Sequence, residues 1–133
     1  MANSMYNYGR ESYLDGNLDW SANDVRCILI DEADETVNLS TDQDLADVTG
    51  AGIVATSSAM GGKTVTNGTA DCSDFTFTTV TGDQSESLTW YYHTGTSSTA
   101  LLICNIDTAT GLPVTPNGGD ISVTINASGV FTL

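Results

Sequence analysis

The sequence predicts an all-β fold, an antiparallel β-sandwich of jelly-roll-like form with a short N-terminal helix or arm. Three observations lead there. Charged residues make up 15% of the 133-residue chain, against about a quarter in ordinary globular domains. The polar share is carried instead by Thr, Ser, Asn and Gly, the composition of strands and turns rather than of salt-bridged helices. Beyond residue 50, short runs with period-two alternation recur between turn signals at the spacing of sandwich strands. Apolar residues account for 40% of the chain, close to globular usage and too many for wholesale disorder. A mass of 13.9 kDa fits one domain, with residues 1–24 as an arm of the same domain and 25–133 as the sandwich.

The arm concentrates aromatic surface: Tyr6, Tyr8, Tyr13, Leu14 and Trp20 lie in a segment broken by Gly9 and Gly16. Met5, Gly9, Ser12 and Tyr13 fall on one helical face, which predicts a short helix around 3–14 ending at Gly16-Asn17. VRCILID (25–31) is the clearest strand of the N-terminal half. An acidic stretch, DEADE (31–35), and TVNLST (36–41) follow it. DQDLADV (42–48), with early acids ahead of Leu45 and Val48, predicts one or two helical turns.

From residue 50 the reading is strand and turn. GIVATSSAM (52–60) leads through Gly61-Gly62 to KTVT (63–66) and then Asn67-Gly68, a strong tight-turn dipeptide. FTFTTV (75–80) alternates phenylalanine with threonine, giving one buried and one wet face. SLTWYYHT (87–94) sets Leu88, Trp90 and Tyr92 on one side and Tyr91 and His93 on the other. TALLICNI (99–106) is apolar on both faces, which predicts a central strand. A Gly/Pro-rich loop (107–120) precedes DISVTIN (120–126), and VFTL (130–133) ends the chain. Seven to nine strands are expected.

The charge is one-sided: 17 acids against Arg10, Arg26 and Lys63, a net of -14. Such a surface repels phosphate backbones and anionic lipid, so nucleic acid and membrane surfaces are excluded as direct partners. A basic protein surface or a cation suits it. Cys27, Cys72 and Cys104 lack CxxC spacing and sit in or near apolar runs, as buried thiols do. The opening MANSMYNYGRESYLDG lacks the basic flank and apolar centre of a secretion signal. No apolar stretch approaches the about 20 residues of a membrane span.

No motif for chemistry survives inspection. GGKT (61–64) ends like a phosphate-binding loop, but Ser57 stands where that pattern needs glycine, and strand and turn residues follow it instead of a helix. His93 is the only histidine, and neither a nucleophile elbow nor a basic cysteine environment accompanies it. Asp31, Glu32, Asp34, Glu35, Asp42, Asp44 and Asp47 lack the glycine and closing glutamate of a calcium-binding loop. We therefore expect no enzyme activity, no catalytic or metal-ligating set and no cofactor. The arm carries the sharper reading: Tyr6, Tyr8, Tyr13, Leu14 and Trp20 are expected at an interface, because tyrosine and tryptophan supply contact area at low entropic cost.

Four stretches carry a resemblance: MYNYGRESYLDGNLDWSANDVRCILID (5–31), KTVTNGTADCSDFTFTTV (63–80), TGDQSESLTWYYHTG (81–95) and IDTATGLPVTPNGGDISVTI (106–125). Together they resemble a family of small virion proteins encoded in the structural modules of tailed bacteriophages. The resemblance implies a capsid cement or decoration protein on the outer surface of the phage head. It implies a β-sandwich homotrimer that binds the major capsid protein across capsomer junctions and stabilises the assembled shell. It brings no catalytic motif to transfer. Two other roles fit the same residues: a tail, neck or head-fibre-base component of the virion, and a carbohydrate-binding module using Trp90, Tyr91 and Tyr92 as a stacking platform.

Overall fold

In a computed structural model, which describes residues 3–133, the long apolar runs pair with one another. Val25–Ile30 (β2), Ser87–Tyr92 (β7) and Leu102–Ile106 (β8) form the middle of a five-stranded antiparallel sheet. Ser4–Met5 (β1) flanks β8 and Ile53–Thr56 (β3) flanks β2, giving the order β1-β8-β7-β2-β3. The register aligns Cys27, Trp90 and Cys104 across three strands. A three-stranded sheet follows from Thr64–Thr66 (β4), Thr69–Asp71 (β5) and Phe131–Thr132 (β10), in the order β10-β5-β4. Phe75–Phe77 (β6) and Ile121–Val123 (β9) make a two-stranded ribbon. The fold is thus all-β with one short helix, Asn7–Leu14 (α1).

Alternation decides what each face meets. One face of the large sheet presents Cys27, Leu29, Leu88, Trp90, Ile103 and Cys104. Against it pack Ala70 and Phe131 of the three-stranded sheet and Phe75, Phe77, Ile121 and Val123 of the ribbon. That is the sandwich, with its second layer split in two. The opposite face presents Ile28, Ile30, Tyr91 and Leu102. Tyr6 and a long connection carrying Val37, Leu39, Leu45 and Val48 cover it, and Ile53 of β3 packs in the same cluster. Burial on both faces explains why β2 and β8 read as nearly continuous apolar runs.

Two expectations take their place in the fold. β8, expected to be central, is an internal strand between β7 and the two-residue β1. Its second face is apolar because the arm and the covering connection lie on it. The 42–48 segment makes a single 3-10 turn, Leu45–Asp47, held by a capping box in which the Asp44 side chain accepts from Ala46 N and Asp47 reaches back. Elsewhere local chemistry sets the ends. Asn67 and Gly68 both take positive φ (51° and 79°), the backbone of a tight hairpin turn between β4 and β5. Thr79, at φ 50°, closes β6 earlier than alternation alone predicts. Beyond Thr56, Ser57 Oγ accepts from Cys27 N at 2.9 Å and takes over the next rung beside β2.

Polar groups on the covered face pair inside it. Asn105 Nδ2 donates to Ser87 Oγ (3.1 Å) and Thr89 Oγ1 (3.0 Å), and Tyr6 Oη lies 3.0 Å from Thr89 Oγ1. All four residues are fully buried, so each bond relieves a desolvation cost of about 1–3 kcal/mol.

Helix α1 seats on β8 through Gly9, which shares a buried face with Ser12. A Cβ at Gly9 would stand 2.7 Å from the carbonyl oxygens of both Leu102 and Ile103. These are backbone atoms of a central part of the fold and cannot yield as a side chain can. Gly9→Ala raises helix propensity yet forces α1 off the sheet, so we expect a net loss of about 2 kcal/mol. The midpoint of chemical denaturation measures it.

Candidate docking surface

The five arm residues expected at an interface separate into two groups. Tyr6 is fully buried and Trp20 is 3% exposed within their own chain. Trp20 Nε1 donates to the Asp71 carbonyl at 3.0 Å, and its ring meets Phe131 edge-on at 5.4 Å. Tyr13 is half-buried, with its ring 5.6 Å from that of Phe131. The expectation that Tyr6, Tyr13 and Trp20 bind a neighbour is corrected here for Tyr6 and Trp20, and in large part for Tyr13. A domain of this size gains more by closing its own two sheets with these rings than by holding them out in water. Only Tyr8 (36% exposed) and Leu14 (81%) remain available. At 3.6 residues per turn they stand about 120° apart around α1, so they do not form one patch. Leu14 instead shares the wet face with Asn7, Arg10 and Glu11.

The bases are largely committed. Arg26 makes a two-pronged contact with Asp24, 3.1 and 3.0 Å, and this holds the Asp24 carboxyl below its ordinary value. Lys63 donates to the Asn23 carbonyl. Arg10 donates to the Met5 carbonyl at 3.1 Å and to Asn7 Oδ1. The acids dominate everything else on the surface. Asp31, Asp34 and Asp83 bring carboxylate oxygens within 4.8 Å of one another, Asp31 buried and the other two exposed. An all-oxygen donor set of this kind suits hard cations such as calcium. Asp83 is far away in sequence, so no spacing rule finds this trio. Asp42 is pushed above its ordinary value of 3.8 by burial and by the charges of Glu35 and Asp47, against the bond it accepts from Asn38 N.

The remaining candidates for chemistry are occupied by packing. Trp90 (1% exposed) and Tyr91 (2%) are inside the protein, so the platform expected of Trp90, Tyr91 and Tyr92 is not presented to a sugar. His93 follows β7, with Nδ1 3.5 Å from the Tyr91 hydroxyl, beside a groove of about 310 Å³ rimmed by Thr96 and Ser97. All three thiols are free and buried. Burial raises Cys27 and Cys104 strongly and Cys72 to about 11, the opposite of what a nucleophilic cysteine needs. A second groove, of about 280 Å³, lies between β1 and β10. No local spacing marks it, because its walls join residues 3–10 to residues 104–106 and 130–132.

Two outcomes follow. At pH 8 a thiol reagent leaves the native protein unlabelled and modifies all three cysteines once it is unfolded, read as absorbance per chain; rapid labelling of the native state contradicts the buried assignment. Asp42→Asn keeps the acceptor for Asn38 N and removes a disfavoured charge. Because the folded protein raises this carboxyl, wild-type Asp42 opposes folding once it ionises. The variant therefore melts higher at neutral pH, and the gain vanishes as pH falls below 3.8, measured by thermal melts across pH. No model of a known protein family matches this chain, and no curated protein matches it.

Proposed function

We propose that the protein is a structural virion component, a cement or decoration protein that binds the assembled phage head as a homotrimer and stabilises it across capsomer junctions. The observation that carries this reading is an exterior whose charges are almost all acidic, over a sandwich whose three thiols are buried. Of the chain's 20 ionisable Asp, Glu, Lys and Arg side chains, 17 are acids. Two of the three bases are held by Asp24 and by the Asn23 carbonyl. Such a surface repels nucleic acid and other particles, and it is attracted to basic patches of a shell. The four stretches that resemble small virion proteins support the same role.

A cement acts by preferring the assembled lattice to the dispersed subunit, so its effect on the shell follows mass action. A homotrimer multiplies modest contacts into avidity. Tyr8 and Leu14 are the arm residues free to serve such contacts, and their separation around α1 assigns them to different neighbours. The second reading within the virion, a tail, neck or head-fibre-base component, shares the anionic surface and differs only in location.

Light scattering of the purified protein followed by its addition to stripped phage heads tests the proposal. The expected result is a trimer mass and saturable head binding that weakens as salt rises, with Leu14→Glu reducing occupancy at least about tenfold. A monomer that ignores heads overturns the reading. Labelled protein found on tails instead of heads by electron microscopy replaces it with the second one.

A further inference from the structure

The groove between β1 and β10 has walls of a particular kind. Each wall is the open edge of a sheet: β1 is the last strand of the five-stranded sheet, and β10 is the last of the three-stranded one. The hydrogen-bond phase of each edge is fixed by its inner partner. Tyr6 N donates to Ile103 O, so the neighbouring residue Met5, opposite Cys104, turns its N–H and C=O away from β8. Leu133 N donates to Gly68 O, so Thr132, opposite Thr69, turns its N–H and C=O away from β5. Met5 and Thr132 both line the groove. Its floor is apolar, with Ile106, Val130 and Phe131 only partly buried.

Charge distinguishes the place from the rest of the molecule. Among the described residues, Arg10 is the only charged side chain lining the groove, on a chain of net charge -14. Unlike Arg26, it has no carboxylate partner among the described residues. It already grips the Met5 carbonyl, which leaves the Met5 N–H and both Thr132 groups as the backbone positions open to a visitor. The volume, about 280 Å³, is below the usual range for small-molecule pockets. A segment laid lengthwise needs less depth than a ligand engulfed.

We propose that this groove is a strand acceptor. It takes an extended segment of a partner protein that alternates apolar and polar residues and places a carboxylate at Arg10. The segment's carbonyls accept from Met5 N–H and Thr132 N–H, one of its amides donates to Thr132 C=O, and its apolar side chains meet Ile106, Val130 and Phe131. This is β-augmentation: backbone bonds give affinity and alternate side chains give selectivity. The carboxylate is argued from charge complementarity, since a basic segment would meet the one cation the groove contains. Peptide capture is measured on the free protein, so its success or failure leaves the head-binding reading untouched.

The probes are two labelled synthetic peptides of alternating threonine and valine, one ending in aspartate and its twin in lysine, titrated into the full chain and read by fluorescence anisotropy. The aspartate peptide is expected to bind saturably, at least about tenfold tighter than the lysine twin. Arg10→Gln removes that preference. Thr132→Pro deletes an outward N–H and no rung to β5, and binding of both peptides is lost while the circular-dichroism melt stays cooperative. If Thr132→Pro does not fold, the exposed Arg10→Gln variant alone decides. Absence of saturable binding, equal affinity for the two peptides, or a preference that survives Arg10→Gln overturns the proposal. So does wild-type self-association that Thr132→Pro abolishes, which assigns the groove to a second copy of this chain.

Discussion

The rest of the structure depends on one constraint: β2, β7 and β8 are buried on both faces and must be covered twice. The sandwich partner covers one face with Phe75, Phe77, Ile121 and Phe131. The other face has no sheet to meet and is closed by Tyr6 and the connection from Val37 to Val48. Full burial of a single large side chain is worth about 1.5–3 kcal/mol, a large fraction of the net stability of a small domain. The arm is thereby committed to its own chain. The tight contact of Gly9 with the backbone of Leu102 and Ile103 and the Tyr6–Thr89–Asn105–Ser87 network are both consequences of that closure.

The same constraint explains what could be read from the sequence. β2 and β8 were legible because two-sided burial leaves few polar residues in the run, and β7 because Leu88, Trp90 and Tyr92 alternate along it. The turn at Asn67-Gly68 was legible because few dipeptides adopt two successive positive φ values. The shared face of Gly9, Ser12 and Tyr13 was legible from helical spacing, although the helix begins only at Asn7. What could not be read was ownership. A cluster of tyrosine and tryptophan signals burial, but nothing in the run from Tyr6 to Trp20 says whether the covering surface belongs to the same chain or to a neighbour. What lies on the second face of β8 was hidden for a related reason, since covering by a connection leaves the same apolar signature as covering by a sheet. The Asp31–Asp34–Asp83 trio and the groove between β1 and β10 were invisible because each joins residues with no local spacing to mark them.

Electrostatics and edges are linked as well. The sandwich leaves open strands at β1, β3, β4 and β10, each a template for unwanted pairing. β4 is exposed at all three residues, and Val65 stands out from it at 56%. Fifteen percent charged residues would protect these edges poorly if the signs were mixed. With nearly all of them negative, copies repel at a distance before any edge can pair. The acidity that keeps such edges apart is also the property on which the proposed attraction to a basic shell rests, so in that reading solubility and partner choice arise from one distribution of charge.

Arg10 is the exception within that distribution, and its position follows from the fold. Helix α1 must lie over β8 to bury Gly9 and Ser12, and this places residue 10 on the helix flank nearest β1. From there its guanidinium reaches the one Met5 carbonyl that antiparallel pairing turns outward. An arginine at that point blocks an acceptor on the open edge while leaving the neighbouring donor free. It thereby makes the edge selective for carboxylate-bearing strands instead of sealing it. A lysine would supply the charge without the planar fork that can hold the carbonyl and a carboxylate together, so the choice of residue matters as much as the sign of its charge.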